Sequence, residues 1–105
     1  MCIRDRCPGA RPVPLAHFGD GSVHYNIAQP PGMAKAAFLE RWDDLTHAVH
    51  AIVLELGGSI SAEHGIGQMK LADLARSKSE VELDLMRRIK AALDPKGILN
   101  PGKVL

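Results

Sequence analysis

The chain has 105 residues, a formal net charge of +1, 46% hydrophobic residues and 24% charged residues. That length allows at most one domain with a modest core, and the near-balanced charge gives no reason to expect nucleic acid or an anionic membrane as a partner. No apolar run approaches the roughly 20 residues of a membrane span, and the opening residues lack the apolar stretch of a secretory leader.

Residues 1–12 read as unstructured: they mix charges, contain Pro8-Gly9 and Pro12, and show no periodicity. The only two cysteines, Cys2 and Cys7, both fall there. A disulfide or half of a zinc site is conceivable, but no second cysteine pair follows. Two reduced, incidental thiols are the expected state, in keeping with a reducing compartment.

Residues 13–17 and 23–27 are short apolar runs with β-branched and aromatic members, separated by a segment containing Asp20-Gly21. That dipeptide favours a two-residue hairpin turn. Such a turn sets Gly19 opposite Ser22, Phe18 opposite Val23 and His17 opposite His24. Directly opposed Cβ atoms lie about 4.5–5.5 Å apart, close enough for two imidazoles to share an ion. Asn26, two residues beyond His24, projects from the same face. A glycine-rich phosphate loop is the other reading, but neither Gly-x-Gly-x-x-Gly nor a P-loop Lys-Ser/Thr accompanies it.

After Pro30-Pro31-Gly32 a long helix is expected, with Ala34, Ala37, Phe38, Trp42, Leu45, Val49, Ile52, Val53 and Leu56 on one apolar stripe. Glu40, Asp43, Asp44, His47 and His50 fall on its polar side. His47 and His50 are one turn apart, but a solvated face accounts for them better than a metal does. Gly57-Gly58 ends this helix. Residues 59–62 then run extended as a third strand before Glu63 and His64, which point opposite ways and so take different roles. Gly65 and Gly67 turn the chain into another helical segment.

Ser79 opens the last helix, with Glu82 three residues later completing a capping box. Its expected buried face is Val81, Leu85, Met86, Ile89, Ala92 and Leu93, with Met86 as core filler. Asp94-Pro95-Lys96-Gly97 stops it, and a turn over residues 100–103 follows. The elements imply an α+β fold, a small antiparallel sheet with helices packed on one face. So thin a sheet looks like part of a larger unit.

Three motifs, in order along the chain, carry a resemblance. They are His17-x-Gly19-Asp20-Gly21-x-x-His24-x-Asn26; Ser61-Ala62-Glu63-His64-Gly65-Ile66-Gly67 with Lys70; and Asp94-Pro95-x-Gly97-Ile98-Leu99-Asn100-Pro101-Gly102-Lys103. Together they resemble the C-terminal domain of FAD-linked oxidases of the vanillyl-alcohol oxidase superfamily. Within it they are most similar to the group of D-2-hydroxyglutarate dehydrogenase, D-lactate dehydrogenase and the glycolate oxidase flavin subunit. The resemblance runs from His17 to Leu105. It implies that residues 13–105 are the C-terminal part of a ferredoxin-like substrate domain plus a helical tail. The FAD-binding domain is then absent and the isolated chain inactive, and residues 1–6 look like a foreign start.

Carried over residue by residue, the resemblance makes His17, His24 and Glu63 ligands of a divalent metal, zinc or manganese. Asn26 and His64 become substrate-binding, with His64 the catalytic base, and Asn100 and Lys103 become cofactor-binding residues toward FAD. Ala16 and Ser22 depart from the commoner Gly and Asn, but neither position supplies a ligand. The implied activity is FAD-dependent, metal-assisted oxidation of a D-2-hydroxy acid to the 2-oxo acid, with the electron acceptor unspecified. Three protein ligands leave open positions on an ion, a 2-hydroxy acid can chelate it, a histidine of ordinary pKa near ~6.5 can take a proton, and the flavin carries the redox step. A homodimer in the cytoplasm is the expected full-length form, with peripheral membrane attachment an alternative. Competing readings are a stand-alone metal-binding module and an inactive truncation that self-associates through apolar faces.

Overall fold

The computed structural model describes residues 3–105. In chain order the elements are α1 (Ile3–Arg6), β1 (Arg11–His17), β2 (Ser22–Ala28), α2 (Lys35–Leu39), α3 (Trp42–Glu55), α4 (Leu71–Ser77) and α5 (Glu80–Leu93). They fall into two compact units, one ending at Ala62 and the other running from Glu63 to Leu105. The α+β class expected from the sequence is present.

In the first unit β1 and β2 form an antiparallel pair, running from Arg11 opposite Ala28 to His17 opposite Ser22. Pro12 and Pro14 lie two residues apart in β1, so both ring nitrogens face the same side of the strand. Proline offers no N–H to a ladder, which places that side on the outer edge and blocks it to further pairing. Opposed residues share a face. Pro12, Pro14, Tyr25 and Ile27 therefore lie on one side of the hairpin, and Val13, Leu15, His17, Ser22, His24 and Asn26 on the other.

Ile27 marks the inward side. It packs with Met33, Phe38, Ala48 and Val49 around a buried cluster of Ile3, Cys7, Ala10 and Leu45. Residues 3–12, expected to be unstructured, are therefore ordered into α1 and the start of β1. Ile3 and Cys7 are one helical turn apart, closed by a hydrogen bond from the Cys7 N–H to the Ile3 carbonyl (3.0 Å), and this turn buries both side chains against α3. Aperiodicity hid a four-residue helix too short to show a stripe. Cys7 is a free, fully buried thiol; Cys2 lies outside the described residues.

The long helix expected after Gly32 is two helices. The Arg41 N–H turns back to the Phe38 carbonyl (3.1 Å), a three-residue step, and Arg41 sits at φ −91°, ψ 1° before α3 restarts with Leu45 bonded to the Arg41 carbonyl. At this break the Arg41 guanidinium donates to the Arg6 carbonyl (2.8 Å), while Arg6 pairs with Asp44. The interruption thus ties α1 to α3. The glycine stop is as read: the Gly58 N–H bonds to Val53 O (2.8 Å) and the Gly57 N–H to Leu54 O (3.0 Å). This is a Schellman pattern, with Gly57 at φ +72°.

No third strand forms over residues 59–62. Ser59 Oγ donates to the Ser61 carbonyl (3.0 Å) and accepts the Ser61 N–H (3.3 Å), and this local turn takes up the groups a strand would offer.

In the second unit Leu74 and Leu83 are the buried apolar residues. The capping box at Ser79 forms as expected: Ser79 Oγ accepts the Glu82 N–H (3.3 Å), and a Glu82 carboxylate oxygen accepts the Ser79 N–H (2.9 Å). The expected buried face of α5 is not buried. Val81, Leu85, Ile89 and Leu93 are 79%, 58%, 52% and 75% exposed, Ala92 is also exposed and Met86 is only partly covered. Periodicity identifies an apolar face but not what covers it, and 43 residues offer little to do so.

Candidate metal and substrate site

The outward face of the hairpin carries the densest chemistry of the first unit. His17 ends β1 and His24 lies in β2, and their Nε2 atoms are 3.3 Å apart. The ring centroids are 5.3 Å apart with planes inclined by 53°. The two are not directly opposed, however. His17 faces Ser22 and His24 faces Leu15, so the imidazoles meet across the diagonal. The register expected from a two-residue turn is therefore two positions out. Because strand side chains alternate with period two, that shift keeps both histidines on one face.

The turn chemistry explains the register. A two-residue turn at Asp20-Gly21 would need the Ser22 N–H for the Gly19 carbonyl. Asp20 Oδ1 instead accepts both the Ser22 N–H (2.9 Å) and the Ser22 hydroxyl (2.8 Å). The loop closes through the Gly21 N–H on the His17 carbonyl (3.0 Å), with Gly21 at φ +72°. These bonds, the Ser22 backbone N–H first, hold the Asp20 carboxyl below the usual aspartate range, and the nearby His17 contributes to the same shift. Phe18 stands fully exposed at the tip.

The spacing of the pair fits an ion. Two imidazole nitrogens about 2.0–2.1 Å from one tetrahedral zinc are about 3.3–3.4 Å apart. The observed 3.3 Å matches this and also lies within hydrogen-bonding reach of one ring to the other. His17 is exposed and His24 half-buried, so a ligand has access.

Asn26 shares the strand face of His24, as expected from the spacing. It also contributes to the lining of a groove of about 590 Å³ against α3, together with Tyr25, Ile27, Trp42, His50 and Ile60. Strand alternation carries no sign of this second setting. His47 is exposed as expected of the polar side, whereas His50 is half-buried and lines that groove.

Glu63 and His64 belong to the second unit. They lie in a bend, not an extended segment, so the alternation expected to turn them apart does not apply. His64 Nε2 is 3.9 Å from Glu63 Oε2, and the His64 side chain is 84% exposed.

Asn100 and Lys103 occupy the exposed turn near the end of the same unit. Asn100 has φ +47°, its carbonyl accepts the Lys103 N–H (3.2 Å), and the Val104 N–H reaches the Gly67 carbonyl (2.9 Å). Both residues border a cavity of about 450 Å³ with Met86, Ile89 and Leu105. The turn is held from behind by Asp94, whose buried carboxylate accepts the Ile98 N–H (3.0 Å), the Leu99 N–H (2.9 Å) and Lys90 Nζ (2.6 Å). Read from sequence, Asp94 only stopped a helix. An aspartate followed by Pro-x-Gly is also a side-chain acceptor for the next turn, and that signal was available.

Residues 3–104 match the family model of FAD linked oxidases, C-terminal domain. The chain belongs to this family. It is 39% identical over 102 residues to D-2-hydroxyglutarate dehydrogenase of Stutzerimonas stutzeri, covering 97% of the chain and 22% of that protein. To the mitochondrial D-2-hydroxyglutarate dehydrogenase of Rattus norvegicus it is 45% identical over 93 residues, covering 89% of the chain and 16% of the relative. To D-lactate dehydrogenase of Archaeoglobus fulgidus it is 40% identical over 97 residues, 92% of the chain and 20% of the relative. The chain thus spans about a fifth of the length of the curated relatives it matches. No described helix is long and apolar enough to cross a membrane.

Proposed function

We propose that this chain is the metal- and substrate-orienting part of an FAD-linked oxidoreductase that converts a D-2-hydroxy acid to the 2-oxo acid. The observation that carries the reading is the His17–His24 pair, with Nε2 atoms 3.3 Å apart on an accessible face, in a chain of the FAD-linked oxidase family. The names of the relatives, D-2-hydroxyglutarate and D-lactate dehydrogenases, supply the substrate class.

His17, His24 and Glu63 would hold the divalent ion, zinc or manganese. Two imidazoles and one carboxylate form a donor set common in catalytic zinc sites and leave positions for a chelating 2-hydroxy acid. When bound, such an ion supplies Lewis acidity that lowers the pKa of a coordinated hydroxyl. His64, whose Nε2 lies 3.9 Å from the Glu63 carboxylate, takes the hydroxyl proton at a ring nitrogen. Asn26 donates its amide to the substrate and fixes its orientation. FAD, when present, supplies the hydride acceptor; the Asn100 amide and Lys103 ammonium are donors suited to its polar edge. The ferredoxin-like domain and the homodimer belong to the same reading of the full-length protein.

Elemental analysis of the purified chain tests the metal site. Near-stoichiometric zinc or manganese is expected in the wild type and in His47→Ala, with loss in His17→Ala, His24→Ala and Glu63→Ala. Equal metal content in wild type and His24→Ala would remove the proposed site.

A further inference from the structure

We infer that Asp20 is a positioning residue for the histidine pair: its carboxylate selects the hairpin register that lets His17 and His24 point at one ion. The inference rests on the metal reading above but adds a residue that touches neither ion nor substrate.

The Ser22 N–H is the donor for which two turns compete. In a two-residue Asp20-Gly21 turn this donor closes the loop on the Gly19 carbonyl, and His17 then faces His24 directly. Side chains of directly opposed residues rise from the sheet side by side, with Cβ atoms about 4.5–5.5 Å apart. Two imidazoles so placed are close enough to share an ion, but they rise from parallel stems with little room to converge. Diagonal neighbours start from Cβ atoms about 7–8 Å apart or slightly less, so each ring can lean inward and present its far nitrogen to a common point. The observed geometry is of this second kind, with Nε2 atoms 3.3 Å apart and ring planes inclined by 53°.

Asp20 decides between the two arrangements because Oδ1 captures the contested donor. It holds both the N–H and the hydroxyl of Ser22, and Ser22 is the residue paired with His17. With that donor taken, the loop closes on the His17 carbonyl through the Gly21 N–H. Leu15, in turn, takes the place opposite His24 that His17 would otherwise occupy. What matters is an acceptor oxygen at the reach of an Asp side chain. Asn keeps that oxygen and loses the charge; Glu keeps the charge but adds a methylene that moves the oxygen out of place.

The two substitutions separate the effects, using the full 105-residue chain. Cobalt(II) serves as a spectroscopic probe of the histidine pair, alongside cross-strand nuclear Overhauser contacts read without metal. Asp20→Asn is expected to keep cobalt affinity within about threefold of wild type and to preserve the pairing of Leu15 with His24. Asp20→Glu and Asp20→Ala are expected to weaken cobalt on the order of tenfold or more, the scale of orienting residues around metals. In those variants the pairing shifts toward His17 with His24 and Leu15 with Asn26. Wild-type affinity or unchanged pairing in Asp20→Glu overturns the inference, as does a loss in Asp20→Asn equal to that in Asp20→Ala. If wild type binds no cobalt the metal reading fails by itself, and the pairing shift alone decides whether Asp20 sets the register.

Discussion

Lys90 reaches one helical turn forward to Asp94, its Nζ 2.6 Å from Oδ2, and the same ammonium also donates to the Leu99 carbonyl. The last turn of α5 is thereby tied to the segment that leads into Asn100. The Lys90 hydrogen bond is the main reason the Asp94 carboxyl lies below the ordinary aspartate range.

Removal of this carboxylate should loosen the tail selectively. In Asp94→Ala the amides of Ile98 and Leu99 lose their acceptors and should exchange with solvent about tenfold faster or more. Amides in β1 and β2 should be unaffected. Unchanged protection at Ile98 and Leu99 would show that the tail is held by something else.

The capping box predicts a pH dependence. The Ser79 N–H, then Lys78 and the Ser79 hydroxyl, depress the Glu82 pKa from 4.5 to about 2. A carboxyl whose folded value lies below its unfolded one favours folding when ionised. Its contribution is complete above about pH 4.5 and fades as the pH falls toward 2. Glu82→Gln should therefore be less helical than wild type at neutral pH, and the two should converge near the acid end. Circular dichroism across this range decides it; parallel curves would mean that the carboxylate is not what caps α5.

The two glycines after α3 should respond differently to alanine for different reasons. Gly57 lies at φ +72°, so Gly57→Ala should destabilise by about 1 kcal/mol through backbone strain. Gly58 lacks that strain, but an added Cβ would stand 3.1 Å from Val53 Cγ1 and 3.2 Å from Val53 O. Gly58→Ala should be eased by Val53→Ala only as far as the Cγ1 contact is responsible, whereas Gly57→Ala should show no such coupling. Thermal melts of the single and double variants measure both.

Glu63 and His64 should separate in a chimera in which residues 3–104 replace the matching segment of the Stutzerimonas stutzeri relative. Glu63→Ala should lose the metal and with it substrate affinity. His64→Ala should keep the metal yet lose turnover by roughly 10²–10⁴-fold, the usual contribution of a positioned base. Near-normal turnover with metal bound would transfer the role of base to another group.

The sequence made some of this legible and hid the rest for identifiable reasons. The capping box at Ser79, the glycine stop at Gly57-Gly58 and the shared face of His17, His24 and Asn26 rest on local chemistry or on period-two alternation, which a chain carries within a few residues. The register failed because Asp20 has two competing uses: as a turn residue with positive φ, or as a side-chain acceptor for Ser22. Pattern alone does not rank them. The face of α5 failed differently. Val81, Leu85, Ile89 and Leu93 do form an apolar stripe, but burial depends on a neighbour, and the stripe says nothing about one. The break at Arg41 was invisible because the apolar spacing continues across it, from Phe38 to Trp42.

Cys7 has a use beyond filling the core of the first unit. Its thiol is 0% exposed among Ile3, Ala10 and Leu45, and the second unit contains no cysteine. An alkylating reagent can reach Cys7 only when the first unit opens. Its slow labelling phase is therefore a clock for that opening, blind to events after Ala62. With Cys2 replaced by serine, a single mass shift of the intact chain would time the loosening of the histidine-bearing half alone, with or without added zinc.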